Sequence, residues 1–200
     1  MIIGIDFDNT IVSYNELFHR IARDKKIIPN ELPINKTAVR NYLRSIGQED
    51  TWTLMQGEVY GLHMNKAKPY TSALEFMIKA KKLGHQLFII SHKTKYPFTG
   101  PLYDLHNSAK SWVKANLIFQ KKPLFNSWQI FWESTKEKKV KRIQALGCDF
   151  FIDDLPEILL MPGFPDHTHK ILFDPELIYC NLDTRYSIAN SWIKIDKLVF

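Results

Sequence analysis

Two carboxylates, Asp6 and Asp8, stand two residues apart in Asp6-Phe7-Asp8-Asn9-Thr10, directly after the apolar run 2–5. A second acidic pair, Asp153-Asp154, follows the apolar run 150–152, and Ser91-His92-Lys93-Thr94 follows the run 87–90. Each polar group therefore ends a short apolar segment. In an open parallel sheet, ligands gather in the crevice at the carboxyl ends of the strands. Carboxylates brought together there repel one another unless a cation neutralises them. Hard oxygen donors of this kind favour Mg²⁺, which takes one or two carboxylates together with water and substrate phosphate. A metal so held makes phosphoryl transfer to a carboxylate feasible, because it screens two anions that would otherwise repel.

Positioning these groups requires buried strands. The runs 2–5, 87–90, 150–152 and 171–173 are rich in Ile and Phe without polar alternation, which suits parallel strands covered on both faces. Helical patterns lie between them. Residues 72–83 carry Leu74, Met77 and Ile78 before Gly84, and residues 136–146 carry Val140, Ile143 and Leu146 before Gly147. The alternation predicts an α/β fold, a doubly wound parallel sheet. From about 12 to 68 the chain is helix-like and mostly polar, with Leu17, Phe18 and Ile21, then Val39, Leu43 and Ile46, then Trp52, Leu54, Met55 and Val59 as apolar faces. This stretch is too long for a connecting loop. The expected organisation is a core of residues 1–12 and 69–200 with a small helical cap, residues 13–68, inserted after the first strand. A less regular stretch, 92–131, is expected to hold a helix from near Pro101 to about Asn116.

Composition narrows the classes of partner. The 200 residues carry 27 Lys and Arg against 21 Asp and Glu, a formal charge of +6, which favours an anionic partner without choosing among phosphate esters, nucleotides and nucleic acid. The two cysteines, Cys148 and Cys180, form no disulfide framework and point to a reducing compartment. The apolar start stops at Asp6, short of a signal-peptide core, and no apolar run approaches the roughly 18 residues of a membrane span. A cytoplasmic protein that makes no membrane contact is expected.

The motifs taken together resemble those of the haloacid dehalogenase superfamily. Ile5-Asp6-Phe7-Asp8-Asn9-Thr10 resembles its first motif, hhDxDxT; Ile89-Ile90-Ser91 resembles the second; Phe150-Phe151-Ile152-Asp153-Asp154 resembles the fourth, with a lysine upstream as the third. The resemblance covers the chain to roughly Pro175 and implies a Rossmann-like core, with the insertion similar to that family's cap of the first type. It implies that Asp6 is the nucleophile and a metal ligand. Asp8 would donate a proton to the leaving group and then activate water, while its backbone carbonyl binds Mg²⁺. Thr10 would support the turn, Ser91 would hydrogen-bond the transferring phosphoryl, and Asp153 and Asp154 would complete the metal site. The lysine is read as Lys139, which lies eight residues before Gly147 with Ile143 one helical turn after it; Lys138 is the alternative. His92 and Lys93, which follow the second motif, are further candidate substrate contacts, His92 as a phosphate contact, with a surface turn as the alternative.

Asp-x-Asp alone is a weak signal, since acidic residues also cap helices and occupy turns. The ordered set of four motifs carries the reading. Asp166-His167-Thr168-His169 offers two histidines without further ligands, a poor metal site. Tyr14, Phe18, Trp52 and Tyr60 are read mainly as packing of the helical insertion. The implied activity is Mg²⁺-dependent hydrolysis of a small phosphate monoester through an aspartyl-phosphate. Alternatives are a phosphotransferase or mutase using the same intermediate, a nucleic-acid end phosphatase, which the cap argues against, and a non-catalytic phosphate-binding protein. The resemblance of 152–156 to deoxyribonucleotidase-like members admits a nucleotide as substrate. Oligomeric state is not readable from the sequence.

Overall fold

The computed structural model describes residues 1–179 and 184–200, which form two compact units. Cys180 lies outside the described residues. The first unit comprises Met1–Val12, Pro69–Lys93 and Leu117–Phe200. Its described residues form a six-stranded sheet of β1 (Ile2–Ile5), β2 (Gln86–His92), β3 (Ile130–Glu133), β4 (Phe150–Asp153), β5 (His169–Phe173) and β6 (Ser187–Ala189). The spatial order is β6-β5-β4-β1-β2-β3, and every pairing is parallel. From β1 the chain steps outward to β2 and β3, then returns to the other side of β1 for the remaining strands. That reversal makes the carboxyl ends of β1 and its neighbours the place for a site.

The sheet is apolar on both faces, as its uninterrupted runs require. Phe88, Ile90, Phe151 and Leu172 join Val140 and Ile143 of the helix Lys136–Leu146 in one buried cluster. Elsewhere in the core Trp192, at the start of the helix Trp192–Val199, meets Phe76 at 5.1 Å and Phe173 at 5.9 Å between ring centroids. Two strands and this last helix were not foreseen. Residues 130–133 fall in the stretch expected to be irregular, although Ile130-Phe131-Trp132 is an apolar run as long as 150–152; all four residues are half-buried, as befits an edge strand. β6 is three residues long, begins with an exposed serine and buries only Ala189 fully.

The second unit comprises Ser13–Lys68 and Thr94–Asn116. It holds α1 (Asn15–Asp24), α2 (Lys36–Ser45), α3 (Glu49–Gly57) and, from the later segment, α4 (Leu105–Asn116). Residues 94–116 were assigned to the core from sequence and group instead with the inserted helices. The reason is close packing at small residues: Pro97 lies against Gly57 and Tyr103 against Gly61, while Trp112 Nε1 donates to the Ala67 carbonyl at 2.8 Å. The expected helix does end at Asn116 but begins at Leu105, where Asp104 accepts from the Asn107 N–H at 2.8 Å. Tyr14, Phe18, Trp52 and Tyr60 pack on one another, with Phe18 4.8 Å from Trp52 and Tyr14 4.9 Å from Tyr60. Leu54 and Ile46, expected on apolar faces, are exposed.

Candidate active site

The site lies within the first unit, at the carboxyl end of its sheet. β1 delivers Asp6, whose backbone N–H donates to the Ile152 carbonyl of β4 at 2.9 Å. The chain then turns sharply: the Phe7 carbonyl accepts from both the Ile11 and Val12 N–H groups at 3.1 Å. Asn9 takes a left-handed conformation, φ 59°, which asparagine tolerates better than most residues. Thr10 is fully buried. Its hydroxyl lies 3.4 Å from Asp154 Oδ1, and its carbonyl accepts from Trp192 Nε1 at 3.1 Å. Trp192 is thus a support of the aspartate turn that no motif announced, since the contact spans 182 residues of chain.

Lys139 comes from the helix Lys136–Leu146, designated α5. Thr135 caps its start by accepting from the Lys138 N–H, and Gly147 ends it at φ 62°. Lys139 and Ile143 stand one turn apart and therefore share the face turned to the sheet; both are buried. Lys139 Nζ donates to Asp6 Oδ1 and to Asp153 Oδ2, each at 2.6 Å. Lys138 is exposed and donates to Ser134 Oγ at 3.0 Å. Arg142 pairs with Glu133 at 2.8 Å and Lys136 with Glu157 at 3.3 Å. Of the basic cluster, Lys139 is the member that reaches the carboxylates.

One ligand oxygen from each of Asp6, Asp153 and Asp154 lies within 4.8 Å of the others, so these three residues can hold a metal ion. The surrounding electrostatics fit that role. Burial foremost, then the neighbouring Asp6 carboxylate, pushes the Asp153 carboxyl up to about 7 against the pull of Lys139. Burial works against the charge on Lys139, but Asp153 and Asp6 together outweigh it and raise its ammonium. Lys139 pairs with Asp6 and Asp153 and Lys93 with Asp8, and both ammonium groups are buried. A divalent cation would offset the mutual repulsion of Asp6, Asp153 and Asp154.

Ser91 is buried in β2, beside β1 in the sheet. The residues that follow it alternate: His92 turns to solvent, and Lys93 turns inward, its Nζ 2.7 Å from Asp8 Oδ2. Of the two candidate substrate contacts after Ser91, Lys93 turns inward and His92 outward. The segment 166–169 belongs to the sheet instead: Thr168 Oγ1 donates to the Cys148 carbonyl at 2.7 Å and His169 stacks on Phe150 at 5.0 Å. Cys148 is buried, and burial, reinforced by Asp149, pushes its thiol up to about 12. It offers no nucleophile at neutral pH.

No family model matches the chain. A similar solved structure is a phosphoserine phosphohydrolase-like protein from Francisella tularensis, 15% identical, with a TM-score of 0.58 over 99% of both chains. A second is a hydrolase of the haloacid dehalogenase (HAD) family from Deinococcus radiodurans solved with bound phosphate and sodium, 10% identical, TM-score 0.56, covering 98% of this chain and 93% of that one. The chain has the haloacid dehalogenase fold. In sequence, this HAD-fold chain is 22% identical over 161 residues to a protein of Oceanobacillus iheyensis provisionally named a nucleotidase, covering 78% of each. No helix of the described residues is long and apolar enough to cross a membrane.

Proposed function

We propose that the protein is a Mg²⁺-dependent phosphatase that hydrolyses a small phosphate monoester through a phosphoryl group carried on Asp6. The observation that supports this reading most is the double contact of Lys139 with Asp6 and Asp153, beside the three-carboxylate group. It combines a nucleophilic carboxylate, a fixed positive charge and oxygen donors for a hard cation in one place.

Asp6, Asp153, Asp154 and the Asp8 carbonyl would hold Mg²⁺, whose charge lets an anionic ester approach the carboxylates. An Asp6 oxygen attacks phosphorus as the bond to the ester oxygen breaks, and Asp8 gives that oxygen its proton. Asp8 then takes a proton from the water that attacks the phosphorus, releasing inorganic phosphate and restoring Asp6. Ser91 donates its hydroxyl hydrogen to the phosphoryl oxygens, Lys139 offsets their charge, and Thr10 supports the turn that carries both aspartates.

A nucleoside monophosphate is the substrate class to try first, because the O. iheyensis relative bears a nucleotidase name. The decisive assay incubates the purified protein with a panel of phosphorylated metabolites, nucleoside monophosphates included, with and without Mg²⁺. Release of inorganic phosphate that needs the metal is expected from at least one ester. Silence across the panel in the presence of Mg²⁺ and of Mn²⁺ would sink the proposal.

A further inference from the structure

Lys93 is 4% exposed, and lysine is almost never buried unless its charge is paired. It is the first residue beyond β2, and its backbone N–H donates to the Glu133 carbonyl at 2.9 Å, extending the contact between β2 and β3. The sheet therefore fixes where its side chain begins. At the far end, Nζ lies 2.7 Å from Asp8 Oδ2 and 5.7 Å from the centroid of the Phe7 ring. That ring is held edge-on against Trp132 at 5.0 Å. An aromatic face and a carboxylate together confine the ammonium.

Asp8 is less enclosed than the two acids that Lys139 holds. Its side chain is 20% exposed, against 6% for Asp6 and none for Asp153, and its Oδ2 lies against the Lys93 ammonium. Its backbone is fixed by the tight turn and by a bridge to Val12. Two buried lysines thus serve different carboxylates: Lys139 holds Asp6 and Asp153, and Lys93 holds Asp8.

We propose that Lys93 is a positioning residue for Asp8, holding its carboxylate in the one orientation from which a proton passes between it and the reacting oxygens. This inference rests on the two-aspartate reading given above. Asp8 gives its proton to the departing ester oxygen and regains one from water; Lys93 supplies no atom and keeps its charge throughout. Because it acts through Asp8, its loss should matter in proportion to the need for proton transfer.

The test compares Lys93→Met, Asp8→Asn and the double variant on an alkyl phosphate, whose leaving oxygen needs a proton, and on 2,4-dinitrophenyl phosphate, whose leaving group does not. Lys93→Met should lower kcat on the alkyl ester by about 10- to 100-fold, within the range that general acid–base catalysis contributes, with KM changed by less than about threefold. The single-turnover rate of Asp6 phosphorylation by the dinitrophenyl ester should fall by less than about fivefold. Added to Asp8→Asn, Lys93→Met should have less than about a twofold further effect, because the two residues act as one unit. Equal losses on both esters, a change carried by KM, or multiplying losses in the double variant would overturn the proposal. Lys93→Gln reads the same contrast if Lys93→Met does not fold. Should the wild type phosphorylate no residue, the two-aspartate reading fails by itself, and crystal structures of wild type and Lys93→Met decide the rest: a turned Asp8 carboxylate supports the positioning role, and an unmoved one removes it.

Discussion

Lys139 Nζ donates to Asp6 Oδ1 at 2.6 Å although 133 residues of chain separate the two. The same ammonium reaches Asp153, so removing it leaves two buried carboxylates without that partner. Lys139→Ala should lower phosphatase activity by about a hundredfold or more, the scale of losing one electrostatic stabiliser of the transition state. Lys138→Ala should stay near wild type, since that side chain is exposed and meets Ser134. Steady-state kinetics of both variants on one aryl phosphate checks this; the opposite ranking would assign the role to Lys138.

Asp6→Asn and Asp8→Asn should fail in different ways. The amide of Asp6→Asn is a poor nucleophile and a weaker metal ligand, so no ester should react. Asp8→Asn keeps the nucleophile and loses proton transfer. An ester with a good leaving group should still phosphorylate Asp6 in that variant, and the acyl phosphate should then persist. Mass spectrometry after mixing Asp8→Asn with an activated aryl phosphate should find one added phosphoryl group on the peptide containing Asp6, absent from Asp6→Asn. A phosphoryl group on a histidine or serine, or wild-type turnover by Asp8→Asn, contradicts the mechanism.

Activity on an aryl phosphate should disappear in EDTA and return with Mg²⁺, because Asp6, Asp153 and Asp154 concentrate negative charge where an anionic ester must enter. The metal should also raise the Tm, since it binds the folded site alone. Full activity in metal-free buffer would rule out a role for the cation.

Asp153 gives the metal-free protein a defined pH dependence. Burial foremost, with Asp6, raises its carboxyl in the folded state to about 7, against about 3.9 for an unfolded aspartate. Its contribution to stability is therefore full below the unfolded value and is lost as pH rises through about 7. In EDTA, the Tm of wild type should fall more between pH 5 and 8 than that of Asp153→Asn, which has no such proton to release. Parallel pH profiles would show that Asp153 titrates near its ordinary value.

In the second unit, a Cβ on Gly61 would collide with Tyr103, whereas one on Gly47 meets open space. Gly61→Val should destabilise the protein by about 1–3 kcal/mol, the usual cost of overpacking. Differential scanning calorimetry would show it as a lower Tm. Wild-type stability in Gly61→Val would contradict the packing of residues 94–116 on the inserted helices.

The sequence by itself determined the central strands and the acidic residues at their ends. Ile2–Ile5 and Phe150–Asp153 are short apolar runs that end in carboxylates, and a strand buried on both faces leaves few other residue choices. The helix Lys136–Leu146 was equally legible, because Thr135 and Gly147 mark its ends. Tertiary structure decided what local pattern cannot encode. Which lysine of a basic helix turns inward depends on the face packed against the sheet, and that packing brought Lys139 to Asp6 and left Lys138 in solvent. Between the two candidates His92 and Lys93, Lys93 is the inward one because alternation beyond Ser91 places neighbours on opposite sides, and only the pairing of β2 fixes which side is which. Trp192 joined the aspartate turn, and residues 94–116 joined the inserted helices, through contacts between segments far apart in the chain. Such contacts leave no periodic trace in sequence, since they depend on where the chain returns rather than on its local pattern.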